Sequence, residues 1–251
     1  MLNKLVLGEP RYLPTVVADK TTAITVVYGV LAALYNRERT GRGQEIEVPM
    51  FETMVSFVMA EHLWGMAFEP PLGPPGYVRL MSIHRRPYKT LDGYVAILPY
   101  MNAHWDVFCD VVERPDLKSD ARFRTMADRT KNIDDTYAET AKIMATRTTD
   151  QWLELFAETS VPINRVNTLE DLAHDPHLVA TGFWKEVDHP SEGRLRTTAF
   201  PVNFSGTPAE VTRRHAPRLG EHTRELLREL GYTAGQIEAM LAAGAAIAAS
   251  E

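Results

Sequence analysis

Apolar positions recur along this chain with two different spacings, and the places where the spacing changes predict its elements. From Lys20 to Arg39, the residues Ile24, Val26, Val27, Val30, Leu31 and Leu34 cover much of a helical circumference. A helix that is apolar nearly all round has both sides covered, so a buried core helix is expected here. Asp19 stands at the capping position before it, and Gly41 stands just past two arginines, where a left-handed residue closes a helix. The most apolar part, Ala23 to Tyr35, is shorter than a bilayer crossing and runs directly into Arg37 and Arg39, which argues against a membrane span. Gln44 to Val48 alternates polar and apolar positions and stops at Pro49, the pattern of a short strand. A second helix, rich in methionine and aromatic residues, is predicted from Phe51 to Phe68.

Glu69 to Gly76 reads EPPLGPPG, and its four prolines and two glycines can continue neither a helix nor a central strand. A linker is expected there. Beyond it, Tyr88 to Thr90 and Tyr94 to Leu98 flank Asp92-Gly93, a dipeptide that accepts the positive φ favoured in hairpin turns. Helices are predicted at Ala103 to Val112, Asp134 to Thr146 and Asp150 to Glu158, the last behind a capping box of Thr148 and Gln151. Ile163 to Val166, Trp184 to His189 and Leu195 to Thr198 carry strand patterns. Glu221 to Leu230 and Ala234 to Ala243 predict terminal helices, with a second capping box at Thr233 and Gln236, and the alanine-rich stretch Ala242 to Ala249 is expected to fray. The chain carries no internal repeat.

Composition narrows the class. The 251 residues are 45% hydrophobic and 24% charged, values of an ordinary globular chain that exclude collagenous, low-complexity and disordered polypeptides. A net charge of -6 argues against non-specific nucleic-acid binding, which needs a basic face to displace counterions from phosphates. The single cysteine, Cys109, cannot form an internal disulfide, and a reducing, cytoplasmic setting is the expectation. Met1 to Leu7 has too short an apolar run for a secretory leader.

Candidate chemistry is sparse. Of eight histidines the only close pair is His174 and His177, and Pro176 between them breaks the helix that would put both imidazoles on one face. No metal is therefore expected. Cys109 falls among Trp105, Val107, Phe108 and Val112 and reads as a small core residue. No GxSxG elbow occurs, and neither Gly41-Arg42-Gly43-Gln44 nor Gly73-Pro74-Pro75-Gly76 matches a phosphate loop. Asp134-Asp135 and Glu170-Asp171 read as helix N-terminal charges. What stands out is a basic cluster, Arg79, His84, Arg85, Arg86 and Lys89, just past the proline-rich segment. Such a cluster in an acidic protein suits a phosphorylated ligand or an acid substrate, and equally a solvated face or interface rim.

Scattered motifs, kept in order along the chain, carry a resemblance. They include Gly8-Glu9-Pro10, the run AALYNRERTGRGQ from Ala32 to Gln44, Tyr88-Lys89-Thr90, Asp92-Gly93-Tyr94, Arg114-Pro115-Asp116-Leu117 and Asp120-x-Arg122-Phe123 with Arg129. Val161-Pro162, Val166-Asn167-Thr168-Leu169, Asp175-Pro176-His177-Leu178, Pro201-Val202 and the run from Pro217 to Thr223 complete the set. As an ordered series the sequence resembles the family III CoA-transferases, the group that includes formyl-CoA and carnitine CoA-transferases and the α-methylacyl-CoA racemases.

The resemblance implies an α/β fold: the remainder of a Rossmann-like large domain and a smaller α+β domain, in a dimer whose subunits interlock. On that reading residues 1–68 belong to the large domain, 69–87 form the linker, 88–190 the small domain, and 191–251 a return segment with C-terminal helices. It implies that CoA, as co-substrate and without a metal, moves between an acyl-CoA and a carboxylic acid. The family does this through an aspartyl anhydride and thioester. The family aspartate lies upstream of the Gly8-Glu9-Pro10 motif, so no residue of this chain is assigned the catalytic role. The chain then reads as a C-terminal portion, with a homodimer or a separate N-terminal segment or subunit as partner, and with neither nucleic acid nor membrane. Substrate binding is expected at His84, Arg85, Arg86 and Tyr88. Met101 stands near where racemase members place an acid/base glutamate, which weakens the racemase or isomerase alternative; a non-catalytic remnant or assembly subunit is the other alternative.

Overall fold

The computed structural model describes residues 8–9, 11–210 and 214–249. Met1 to Leu7, with the leader reading, and Pro10, part of the Gly8-Glu9-Pro10 motif, lie outside the described residues. The chain forms two compact units, Met1–Val166 and Asn167–Glu251, each a mixture of helix and antiparallel sheet.

The first unit opens with α1 (Val17–Thr40) and α2 (Met50–His62). Gly41 closes α1 as expected, with φ 71° and its N–H donated to the Arg37 carbonyl at 2.8 Å. Asp19 lies in the first turn and not at the cap, where Val16 stands without a side-chain bond. The core-helix expectation is corrected more substantially. No described residue of α1 is buried, and Ile24, Leu31 and Tyr35 are 60% or more exposed, because α2 covers only part of one side. By length and composition alone the 24-residue α1 is apolar enough to cross a membrane. Gln44 to Val48 is not a strand: it has no strand partner among the described residues, and Ile46 and Val48 instead turn their side chains toward Gly29 on α1. The second helix stops at His62 and continues as a 3-10 turn, Trp64–Ala67. The proline-rich segment lies inside the first unit and folds back on that turn, with Leu72 N–H bonded to the Gly65 carbonyl and Gly76 N–H to the His62 carbonyl.

The core of this unit gathers around a three-stranded antiparallel sheet, β1 (Tyr88–Lys89), β2 (Tyr94–Ile97) and β3 (Ile163–Arg165), in the order β1-β2-β3. The helices α3 (Asn102–Val111), α4 (Asp116–Ser119), α5 (Met126–Lys131), α6 (Ile133–Met144) and α7 (Thr149–Phe156) intervene between β2 and β3. Alternate residues of β2, Val95 and Ile97, face a cluster of Trp105, Phe108, Cys109, Phe123, Met144, Trp152 and Phe156. Burying apolar surface, at about 25 cal/mol per Å², makes this cluster stabilising. Helix α7 begins with the expected Thr148–Gln151 capping box.

The hairpin forms where Asp92-Gly93 predicts it, but not by the expected turn. Neither residue has a positive φ. Thr90 to Gly93 instead makes a four-residue loop in which Thr90 N–H meets the Gly93 carbonyl at 2.9 Å and Gly93 N–H meets Thr90 Oγ1 at 2.9 Å. Asp92 Oδ1 accepts the Thr149 N–H at 2.8 Å, and the Thr90 and Thr149 hydroxyls meet at 2.8 Å, locking the hairpin to the start of α7.

In the second unit a 3-10 turn (Asp171–His174) leads into α8 (Pro176–Ala180), followed by the two-stranded ribbon β4 (Trp184–His189) and β5 (Gly193–Thr198). Helices α9 (Thr223–Glu229) and α10 (Ala234–Ala242) follow, the latter with its Thr233–Gln236 box. The alanine-rich tail does not fray. Ala249 N–H bonds the Gly220 carbonyl at 3.0 Å and the Thr223 hydroxyl bonds the Ile247 carbonyl at 2.7 Å, so the tail is laid against the start of α9.

Candidate functional site

The expected basic cluster is carried by residues 79–89, and the structure divides it by burial. Arg79 is taken out of the surface set: it is 6% exposed, donates to Thr130 Oγ1 at 3.3 Å and lies over the Tyr100 ring at 4.5 Å. Three residues on, the buried Ser82 donates a short hydrogen bond to the Asp134 carboxylate in the first turn of α6, and its oxygen accepts the His84 N–H at 3.2 Å. Asp134 is therefore more than a helix N-terminal charge, and its neighbour Asp135 pairs with Arg122 at 3.3 Å. At the other end Tyr88 is buried in the core, with its hydroxyl beside Thr140 of α6.

With Ser82 and Tyr88 both fixed to α6, the chain between them is held at its ends and presents Ile83, Arg85, Arg86 and Pro87 to solvent. Arg85, Arg86 and Pro87, with Tyr88, Ala96, Ile97 and Leu98, bound a hollow of about 220 Å³. Arg86, Pro87, Tyr88 and Lys89 also bound a second, of about 510 Å³, closed by Tyr94, Ala141 and Val166. Of the four residues expected to bind substrate, Arg85, Arg86 and Tyr88 thus come together; His84 is half-buried and lines neither hollow.

Chemically this edge offers cations and no reactive group. Arg85, Arg86 and Lys89 are exposed, and no described carboxylate forms an ion pair with them. Guanidinium forks and an ammonium beside small hollows suit phosphate or carboxylate oxygens. Burial pushes the Tyr88 hydroxyl well above the usual phenol range, with the nearby Tyr137 adding to the shift, so it serves as a wall and not as an acid or base. Cys109 is no nucleophile either: it lies in the core, where burial pushes its thiol up to about 12.

His174 ends the 3-10 turn and His177 lies in α8, with Asp175 between them capping α8 by accepting the Leu178 N–H at 3.0 Å. Among the described residues no three His, Cys, Asp or Glu side chains gather closely enough to hold a metal. Met101 is the cap residue of α3 and half exposed. Arg129, named in the sequence only as part of the ordered motif set, is fully buried and donates to the Phe123 carbonyl at 2.7 Å and to Asn102 Oδ1 at 2.9 Å. Its guanidinium lies over the ring of Trp105, a contact between residues far apart in the chain that no local pattern signals.

Comparison with known proteins places these features in a family context. The family model described as CoA-transferase family III matches residues 6–223. A succinyl-CoA:mesaconate CoA-transferase from Haloarcula marismortui is 30% identical over 230 residues, covering 91% of this chain and 57% of the relative. A formyl-CoA:oxalate CoA-transferase from Rhodopseudomonas palustris is 26% identical over 265 residues, covering 95% of this chain and 61% of the relative. The chain therefore spans little more than half the length of these curated relatives. Among solved structures, a CaiB/BaiF family protein from Brucella suis matches 88% of this chain and 57% of its own at 24% identity, with a TM-score of 0.64. Rv3272 from M. tuberculosis matches 82% and 54% at 24% identity, with a TM-score of 0.67. These two share the fold.

Proposed function

The chain belongs to the family III CoA-transferases, and from that premise we propose that it takes part in moving CoA between an acyl-CoA and a carboxylic acid. The observation that carries this reading is the family match over residues 6–223, together with relatives named as formyl-CoA:oxalate, succinyl-CoA:mesaconate and succinyl-CoA:glutarate CoA-transferases. In the reaction the resemblance implies, an aspartate carboxylate attacks the acyl-CoA carbonyl, the C–S bond breaks, and CoA thiolate leaves an acyl-aspartyl anhydride. The thiolate then attacks the aspartyl carbonyl and releases the first acid, leaving an enzyme thioester from which CoA passes to the acceptor acid. Dividing one exchange into several acyl transfers lowers each barrier.

The contribution we assign to this chain is recognition. Arg85, Arg86 and Lys89 are placed to meet the phosphates of CoA, with Tyr88 as the rigid wall between the two hollows. The nucleophile is supplied by the portion of the family fold that these 251 residues do not match. The exposed apolar faces of α1 and α2 fit the same reading: we assign them to the Rossmann-like large domain, covered by the rest of that domain or by an interlocking second subunit in a cytoplasmic dimer. Protein cover, and not lipid, is then what α1 requires.

Arg85→Gln and Arg86→Gln, made in this chain assembled with the portion of the family fold that bears the nucleophile, test the assignment. Each removes a charge-assisted bond, so KM for acyl-CoA should rise about tenfold while kcat stays within about twofold. An unchanged KM in both variants would remove the edge from the site. Exchange of the substrate α-proton in deuterated water without an acceptor acid would instead favour a racemase.

A further inference from the structure

A second group of cations lies away from the hairpin edge. Arg79 and Arg129 are 6% and 1% exposed, and neither has a carboxylate partner among the described residues. Arg129 Nε is buried with no hydrogen bond at all. The acidic groups of the neighbouring turns are engaged elsewhere: Asp128 accepts from Thr125 Oγ1 at 2.7 Å, and Asp134 accepts from Ser82. Asp106 and Asp128 act on Arg129 only at a distance. Lys131 adds an exposed ammonium with no described ion-pair partner. Cations taken out of water without counter-charges leave a positive field that an anion would relieve.

Beside them is a hollow of about 730 Å³ bounded by Val78, Met126, Ala127, Thr130, Lys131 and Ile133. Its size is that of a small-molecule site. Four of the six residues are apolar, Lys131 supplies a charge, and Thr130 is the residue on which Arg79 rests. The Thr130 hydroxyl already donates to the Met126 carbonyl at 2.8 Å, so the attraction for an anion comes from Lys131 and from Arg79 behind Thr130.

We propose that this hollow binds a small monocarboxylate with an apolar tail, the carboxylate against Lys131 and within the positive field of Arg79 behind Thr130, and the tail along Val78, Met126 and Ile133. A dicarboxylate fits it worse, because its second charge would be driven onto the apolar wall without a partner. The proposal rests on the hollow and its cations, not on the transferase reading, and its test contains no CoA.

The test is titration calorimetry on the full chain with hexanoate, acetate, hexan-1-ol and glutarate as probes. Hexanoate should bind saturably with a Kd of about 1 mM, and the other three at least about tenfold more weakly, since each lacks head, tail or single charge. Lys131→Gln should weaken hexanoate about tenfold, and Met126→Glu, at an exposed position, should abolish binding by setting a charge against the apolar tail. Lys118→Gln removes the same charge from a cation paired with Asp110 and should leave binding unchanged. Absent hexanoate binding, glutarate binding as tight as hexanoate, or an equal loss in Lys118→Gln and Lys131→Gln would overturn the site. A far-ultraviolet spectrum matching the parent chain shows that each variant is folded.

Discussion

Thr149→Val is the most informative single change to the frame of the site. Thr149 and Thr90 are buried, and their hydroxyls meet at 2.8 Å between α7 and the hairpin that carries Tyr88 and Lys89. Valine keeps the shape and removes the oxygen, so the Thr90 hydroxyl loses a partner in a place water does not reach. A buried polar group left short of a bond costs about 1–3 kcal/mol. Thr90 keeps its bonds to Gly93 N–H and Asp92 Oδ1, so Thr90→Val has a cost of its own. The double variant should be milder than the sum of the two by about 1 kcal/mol, the coupling of residues in direct contact. Native-state hydrogen exchange at the Gly93 and Val95 amides, with urea unfolding as the global measure, reads both effects. If Thr149→Val left exchange at Gly93 unchanged, or if the two substitutions added to within about 0.3 kcal/mol, the two hydroxyls would not hold the hairpin.

Other expectations follow from the same coordinates. Gly220→Ala should loosen the C-terminal tail, because Gly220 has φ 78° and an added Cβ would sit 2.8 Å from the Ile247 carbonyl oxygen; the cost should exceed about 2 kcal/mol, seen as faster exchange at the Ala249 amide. Cys109 should resist maleimide at pH 8 in the folded chain and react at once in denaturant, since burial holds its thiol near 12. Asp92, held below the usual carboxylate range first by the Thr149 N–H, and Asp128, held there first by the Thr125 hydroxyl, bind protons less readily folded than unfolded. Their stabilisation is therefore complete above the ordinary carboxylate range and is lost as pH falls through their lower folded values. Asp92→Asn should flatten that acid limb of a stability profile, and an unaltered limb would contradict the assignment.

What the sequence made legible was what neighbours along the chain decide. The capping boxes at Thr148 and Thr233 are closed within four residues, and the structure has both. The hairpin register follows from the alternation of Val95 and Ile97, although its turn is set by Thr149, 59 residues beyond Thr90, which no local pattern reveals. Gln44 to Val48 has a strand's alternation, but a strand exists only with a hydrogen-bonding partner. Similarly, the apolar circumference of α1 states that the helix wants cover and not what covers it. In the basic cluster five residues look alike in sequence; burial then sets Arg79 apart from Arg85, Arg86 and Lys89, because burial depends on α5 and α6 arriving from later in the chain.

The central claim, CoA transfer, is tested most directly by carbon-labelled acid and unlabelled acyl-CoA, incubated with this chain together with the portion of the family fold it does not span. Label should appear in acyl-CoA, with the total of CoA esters unchanged. A folded, assembled protein that moves no label across a broad panel of acids would contradict the account.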